Sequence, residues 1–155
     1  MPIEVLYDTS SLPECDLVGI LTAETQLCGI INNCPLRRRA VPFYPMDFYA
    51  DNNRRLRCYI RDGDLNIVDL TGATCIFTVK MTKDDVTPAI QKSTAVSGEG
   101  QIGSADQGEC FFYLVPADTS SLAIAQYRFD VTVILADGNE YTTVEGVFNL
   151  LQPVR

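Results

Sequence analysis

The sequence predicts an all-β protein: an immunoglobulin-like antiparallel β-sandwich over residues 46–155, preceded by an extended N-terminal arm over residues 1–45 with a short β repeat. Three observations predict it. Apolar residues recur at every second position in several short runs, Asp, Asn and Gly separate those runs, and no long segment carries the 3.6-residue periodicity of an amphipathic helix. At 155 residues and 46% hydrophobic content the chain can bury the core of one domain with an arm.

In the arm, Leu17-Val18-Gly19-Ile20-Leu21 returns ten residues later as Leu27-Cys28-Gly29-Ile30-Ile31. Each copy is too short to bury its own apolar face, and two copies barely make a hairpin. The repeat is therefore expected to fold back on the sandwich as a hairpin, to stack with other copies of the chain in a prism, or to add a strand to a partner. Gly19 and Gly29 fit points where backbones approach closely. The stretch that follows, with Pro35, Pro42 and Pro45, excludes a long helix and reads as a linker or docking segment.

Beyond residue 46 the strand signals become regular. Leu56, Cys58 and Ile60 alternate with Arg55, Arg57, Tyr59 and Arg61, which puts the arginines on the outer face, and Asp62-Gly63-Asp64 turns the chain. "NIVDLTGA" reads as a short edge segment, and "TCIFTVKM" as a strand with Cys75, Phe77 and Val79 inward. Residues 80–108 read as a polar, partly stranded loop region with apolar touches at Ala89-Ile90 and Ile102. "ECFFYLVP" turns Cys110, Phe112 and Leu114 inward, Pro116 stops it, and "ADTSSLAIAQ" suits one helical turn or a loop. The last 30 residues read as a hairpin: Tyr127, Phe129, Val131, Val133 and Leu135 alternate, Asp137-Gly138-Asn139 turns, and Gly146, Phe148 and Leu150 lie on the return.

The formal charge of −8 is segregated: residues 1–36 carry −5, residues 37–61 carry +5 through seven arginines, and the remainder carries −8. A basic island suggests phosphate binding. The surrounding acid and the lack of an aromatic single-strand platform argue against nucleic acid, and favour a solvated face or a contact between proteins. Neither a membrane span nor a signal peptide is read in the chain, so it is expected to be made in a reducing cytoplasm. The six cysteines are accordingly expected as buried free thiols rather than disulfides. Zinc is not expected, with no histidine and no CxxC-type spacing. Catalysis, calcium and phosphate binding find no support either: the carboxylate pairs Asp62/Asp64 and Asp84/Asp85 sit in a turn and a polar loop, and Gly98, Gly100 and Gly103 lack a following lysine or helix. No cofactor is expected, and the chain reads as a non-enzyme.

The strings "YIRDGDLNIVDLTGATCIFTVK", "GECFFYLVPADT" and "AQYRFDVTVILADGNEYTTVEGVFNL" resemble the N-terminal domain of phage baseplate upper proteins and related immunoglobulin-like virion modules, over about residues 54–150. The opening repeat looks like the glycine-punctuated repeats of phage fibre proteins. In the baseplate family the domain lies ahead of a receptor-binding part, whereas here it follows an arm, which leaves the direction of anchoring open; with no large C-terminal receptor-binding part expected, a decoration or adaptor role is favoured.

The resemblance implies a virion structural protein on the particle exterior, either a capsid decoration or head fibre or a tail or baseplate adaptor, assembled in the host cytoplasm. It would dock through the arm, with Leu17, Ile20, Leu21, Leu27, Ile30 and Ile31 as apolar anchors and Arg37, Arg38 and Arg39 as their charged complement. The expected partners are other virion proteins (capsid, tail or fibre) and further copies of the chain in a homo-oligomer such as a trimer, with neither nucleic acid nor membrane. The alternative is a host-surface or carbohydrate-binding module, for which Phe43, Tyr44, Phe48 and Tyr49 form an aromatic cluster.

Overall fold

The computed structural model describes residues 24–31 and 41–154. Nine strands follow in order: β1 (Glu24–Ile31), β2 (Phe43–Tyr49), β3 (Arg54–Asp62), β4 (Thr74–Lys80), β5 (Ile90–Ser93), β6 (Gly100–Ile102), β7 (Glu109–Leu114), β8 (Gln126–Ile134) and β9 (Glu140–Leu151). A 3-10 turn (Ala105–Gln107) precedes β7, and one helical turn, α1 (Pro116–Thr119), follows it. The strands form two sheets of a sandwich, ordered β1-β3-β7-β6 and β2-β9-β8-β4-β5.

The alternation read in the sequence sets which side chains meet between the sheets. Leu56, Cys58, Ile60, Cys75, Phe77, Val79, Cys110, Phe112, Leu114, Val131, Val133, Phe148 and Leu150 are all at most 1% exposed. Phe77 of β4 is the hub, with its ring centroid 5.9 Å from Phe112 of β7 and 5.6 Å from Phe129 of β8. Burying side chains of this size stabilises by about 1.5–3 kcal/mol each, so this layer dominates the energetics. Leu135, expected inward, is only half-buried at the strand end, while "NIVDLTGA" supplies a single bridge, Arg61 to Ile67, and buries Leu70.

Two features depart from the expected plan. The sheets are mixed: β1 runs parallel to β3 and β2 parallel to β9, while the other five pairings are antiparallel. β1 and the first three residues of β2 come from the residues assigned to the arm, and the boundary drawn at residue 46 falls inside β2. The reason is geometric. The run from β1 to β2 crosses from one sheet to the other, and each piece takes a sheet edge, where Pro45 within β2 does no harm to a central ladder.

Gly29 decides how closely β1 seats. A Cβ built on it would lie 2.7 Å from Ile60 Cδ1 and 2.8 Å from both Cβ and Oγ1 of Thr143. Thr143 is itself the extra residue of a β-bulge, because the register passes from Val131↔Val144 to Thr132↔Thr142. Its buried hydroxyl donates to the Val131 carbonyl at 3.0 Å. At the opposite end, Lys92 on the edge strand β5 turns inward and pairs with Asp118 at 2.7 Å. The Val115 amide donates to the same carboxylate at 2.7 Å, which pins α1 over the open end of the core.

Cys58, Cys75 and Cys110 are free thiols at complete burial, and Cys58 and Cys110 face each other across β3 and β7. Hydrogen bonding to Cys110, then burial, pushes the Cys75 thiol well above the usual range; hydrogen bonding to Cys58, then burial, does the same for Cys110. Such thiols are inert fillers. Cys28 corrects the expectation of free thiols throughout, since it is disulfide-bonded. Cys15 and Cys34 lie outside the described residues.

Two outcomes follow from this packing. Gly29→Val is expected to destabilise by about 1–3 kcal/mol through overpacking against Thr143, although a β-branched residue would otherwise favour a strand. A urea midpoint unchanged from wild type would show that β1 is not seated there. In native protein under reducing conditions, Cys58, Cys75 and Cys110 are expected to escape alkylation by iodoacetamide until denaturant is added, as read by peptide mass spectrometry.

Candidate interaction site

The apolar half of the proposed docking set is divided by the fold. Leu27 and Ile31 point into the main core at 1% and 0% exposure. Cys28 and Ile30 face the other side of the sheet, where they are also buried and pack with Tyr59 and Leu65. β1 therefore brings Leu27, Ile30 and Ile31 onto one strand and uses them to hold its own domain. Leu17, Ile20, Leu21, Arg37, Arg38 and Arg39, with the first copy of the repeat, lie outside the described residues. β1 is an edge strand, as are β6, β2 and β5.

The basic island is resolved into two functions. Arg54 opens β3 and ties three elements: its Nη1 donates to the Asp47 carbonyl of β2 at 2.7 Å and to Thr25 Oγ1 of β1 at 3.4 Å, and its guanidinium lies 5.2 Å from the Phe48 ring centroid. Burial lowers the pKa of this guanidinium and nearby Asp47 opposes the shift, so the group stays charged. Nothing in the alternation marked Arg54 as a clamp between edges of different sheets, because β1 and β2 both pair in parallel with distant strands. On the outer face, Arg55 and Arg57 stack on Phe111 at 4.9 and 5.2 Å, and Arg57 Nη1 donates to the Tyr59 hydroxyl at 3.3 Å. Arg61, expected on an open face, is on that face but only 4% exposed. Its Nη1 donates to the carbonyls of Ile60 and Gln107, both at 3.2 Å. The strip is thus a cation–π surface along β3 and β7, each contact contributing about 0.5–1 kcal/mol when exposed.

The aromatic cluster separates by strand parity. Phe48 is fully buried and stacks on Phe148 at 5.5 Å, and Tyr44 turns inward so that its hydroxyl accepts from the Cys28 amide at 3.3 Å. Burial raises the Tyr44 phenol pKa. Phe43 and Tyr49 point outward, 56% and 45% exposed. Among the described residues no group of three or more His, Cys, Asp or Glu side chains is placed to hold a metal ion, and no helix is long and apolar enough to cross a membrane.

Beside Phe43, the outer face of the five-stranded sheet carries an electrostatic conflict. Glu145 of β9 stands directly opposite Asp130 of β8, while Arg128 of β8 stands opposite Lys80 of β4. Like charges opposite one another cost stability. Burial, followed by Glu145 and, more weakly, Glu140, raises the Asp130 pKa, against the lowering effects of Lys80 and the Thr132 hydrogen bond. With its folded pKa above the unfolded one, ionised Asp130 weakens the native state at neutral pH, and this cost disappears as pH falls through the folded pKa. Asp130→Asn is accordingly expected to stabilise by a few tenths of a kcal/mol at pH 7. The gain should vanish in acid; a pH-independent gain in melting midpoint would assign it to packing instead.

No protein-family model and no curated protein sequence matches the chain. Among solved structures it is similar to the N-terminal domain of phage TP901-1 ORF48, with a TM-score of 0.54 and 8% identity over 83% of this chain and 98% of that one. CopC from Methylosinus trichosporium OB3b gives a TM-score of 0.34 and 11% identity over 71% and 88% of the two chains. A multicopper oxidase gives 0.34 and 10% over 81% of this chain and 44% of that one. The first likeness shows a shared fold: the chain has the sandwich fold of a phage protein domain.

Proposed function

We propose that the chain is a structural module on the exterior of a phage particle, a decoration or adaptor that docks through its N-terminal residues and presents the β-sandwich. The observation that carries this reading is the likeness, over nearly the whole of that domain, to a phage protein domain. The motifs from residue 54 to 150 support the same setting independently.

In this reading β1 is the fixed root of the docking segment. It is held on one side by β3 and below by Gly29 against Thr143, and among the described residues no strand pairs with its other side, where a strand could be added. Leu17, Ile20 and Leu21 precede it in sequence and Arg37, Arg38 and Arg39 follow it, and these are the contacts proposed for neighbouring virion proteins or further copies of the chain. The charged part supplies orientation and encounter rate, and the apolar part the holding energy.

The test is the composition of purified particles of the phage that encodes the chain. A fixed copy number per particle is expected, and recovery only in the soluble fraction of the lysate would overturn the reading. Arg38→Glu combined with Arg39→Glu should lower particle occupancy severalfold while leaving the melting curve of the isolated domain unchanged; full occupancy would remove the charged contact from the mechanism.

A further inference from the structure

The outer face of the five-stranded sheet holds a pocket of about 240 Å³, bounded by Phe43, Lys80, Lys83, Arg128, Asp130 and Glu145. Strand register builds it. Phe43, Glu145, Asp130 and Thr78 form one cross-strand row over β2, β9, β8 and β4, and Arg128 with Lys80 begins the next row. Lys83 reaches in from the loop after β4. Like charges are thereby placed side by side in two neighbouring pairs, an arrangement that the fold does not need and that costs it stability.

The contents of this pocket point to a ligand. None of Lys80, Lys83 and Arg128 forms an ion pair among the described residues. Three cations against two carboxylates leave one positive charge, which suits a monoanion better than a dianion. The two carboxylates are hydrogen-bond acceptors and so call for hydroxyl donors on the same ligand. Phe43 offers an exposed ring for an apolar face. The volume is below the 300 Å³ or so at which drug-sized ligands begin, which limits the occupant to about one ring. A ring with one carboxylate, several hydroxyls and an apolar C–H face has the chemistry of an acidic sugar.

We propose that this pocket binds one hexuronate unit: its carboxylate on Arg128 and the two lysines, its hydroxyls on Asp130 and Glu145, and its ring against Phe43. Such a unit comes either as a free sugar or as part of an acidic surface polysaccharide. None of the residues lining the pocket is among the proposed docking contacts, so an assay on the full chain alone reads the pocket whatever the particle experiment returns.

The experiment is a heteronuclear NMR titration of the full chain with glucuronate, with glucose and inorganic phosphate as controls. Saturable shifts confined to the Phe43, Arg128 and Glu145 region are expected with glucuronate, with glucose and phosphate each at least about tenfold weaker. Phe43→Ala and Arg128→Ala change exposed side chains and should not lower the wild-type melting midpoint, yet each should weaken glucuronate about tenfold. A glucuronate oligomer binding through the same shifts, more tightly than the free sugar, would identify the polymer as the source; equal affinity per unit would identify the free sugar. The proposal is overturned if glucuronate gives no saturable shifts, if its binding survives both substitutions, or if glucose or phosphate binds equally well.

Discussion

The sandwich depends on two sheets of unequal size staying closed over a single apolar layer, and the chain secures this by lending its N-terminal run to both of them. β1 extends the smaller sheet beside β3, and β2 extends the larger beside β9. Gly29 lets β1 sit against the bulged Thr143, and Arg54 bridges the two edge strands with one guanidinium. At the far end Asp118 has the corresponding duty, holding Lys92 and capping α1 together.

Magnitudes separate what makes the fold from what dresses it. A fully buried phenylalanine such as Phe77 or Phe112 is worth about 1.5–3 kcal/mol, against about 0.5–1 kcal/mol for an exposed arginine stacked on Phe111. The core therefore sets the architecture, and the arginine strip on β3 covers the outer face of its sheet. The thiols belong with the core: Cys58, Cys75 and Cys110 occupy positions where valine would pack as well, and complete burial keeps all three from reagents.

The two sheets expose faces of different character. The smaller one carries the basic and aromatic strip with buried Arg61, next to β1. The larger one carries the paired like charges around Phe43. The conflict between Asp130 and Glu145 is the kind of local cost found where a surface is kept for binding.

Most of the sandwich was legible in the sequence because a strand with one buried face writes a period of two. Leu56, Cys58 and Ile60, Cys75, Phe77 and Val79, and Cys110, Phe112 and Leu114 all lie where alternation put them. Their turns were marked too: Asp62 accepts from the amides of Asp64 and Asn66, and Asp137 from Asn139. Alternation is silent about which strand lies beside which. The parallel seating of β1 and β2, and the burial of Ile30 and Cys28 on the outward side of their sheet, follow from long-range pairing that a repeat of five residues cannot encode. The candidate pocket was invisible for the same reason. Phe43, Lys80, Arg128, Asp130 and Glu145 come from four strands far apart in the chain, and only the register of β2-β9-β8-β4 set them side by side. Composition and period determined that a β-sandwich would form and which residues would fill it; tertiary register decided which charges meet on its surface, because cross-strand neighbours are chosen by the packing of the whole core.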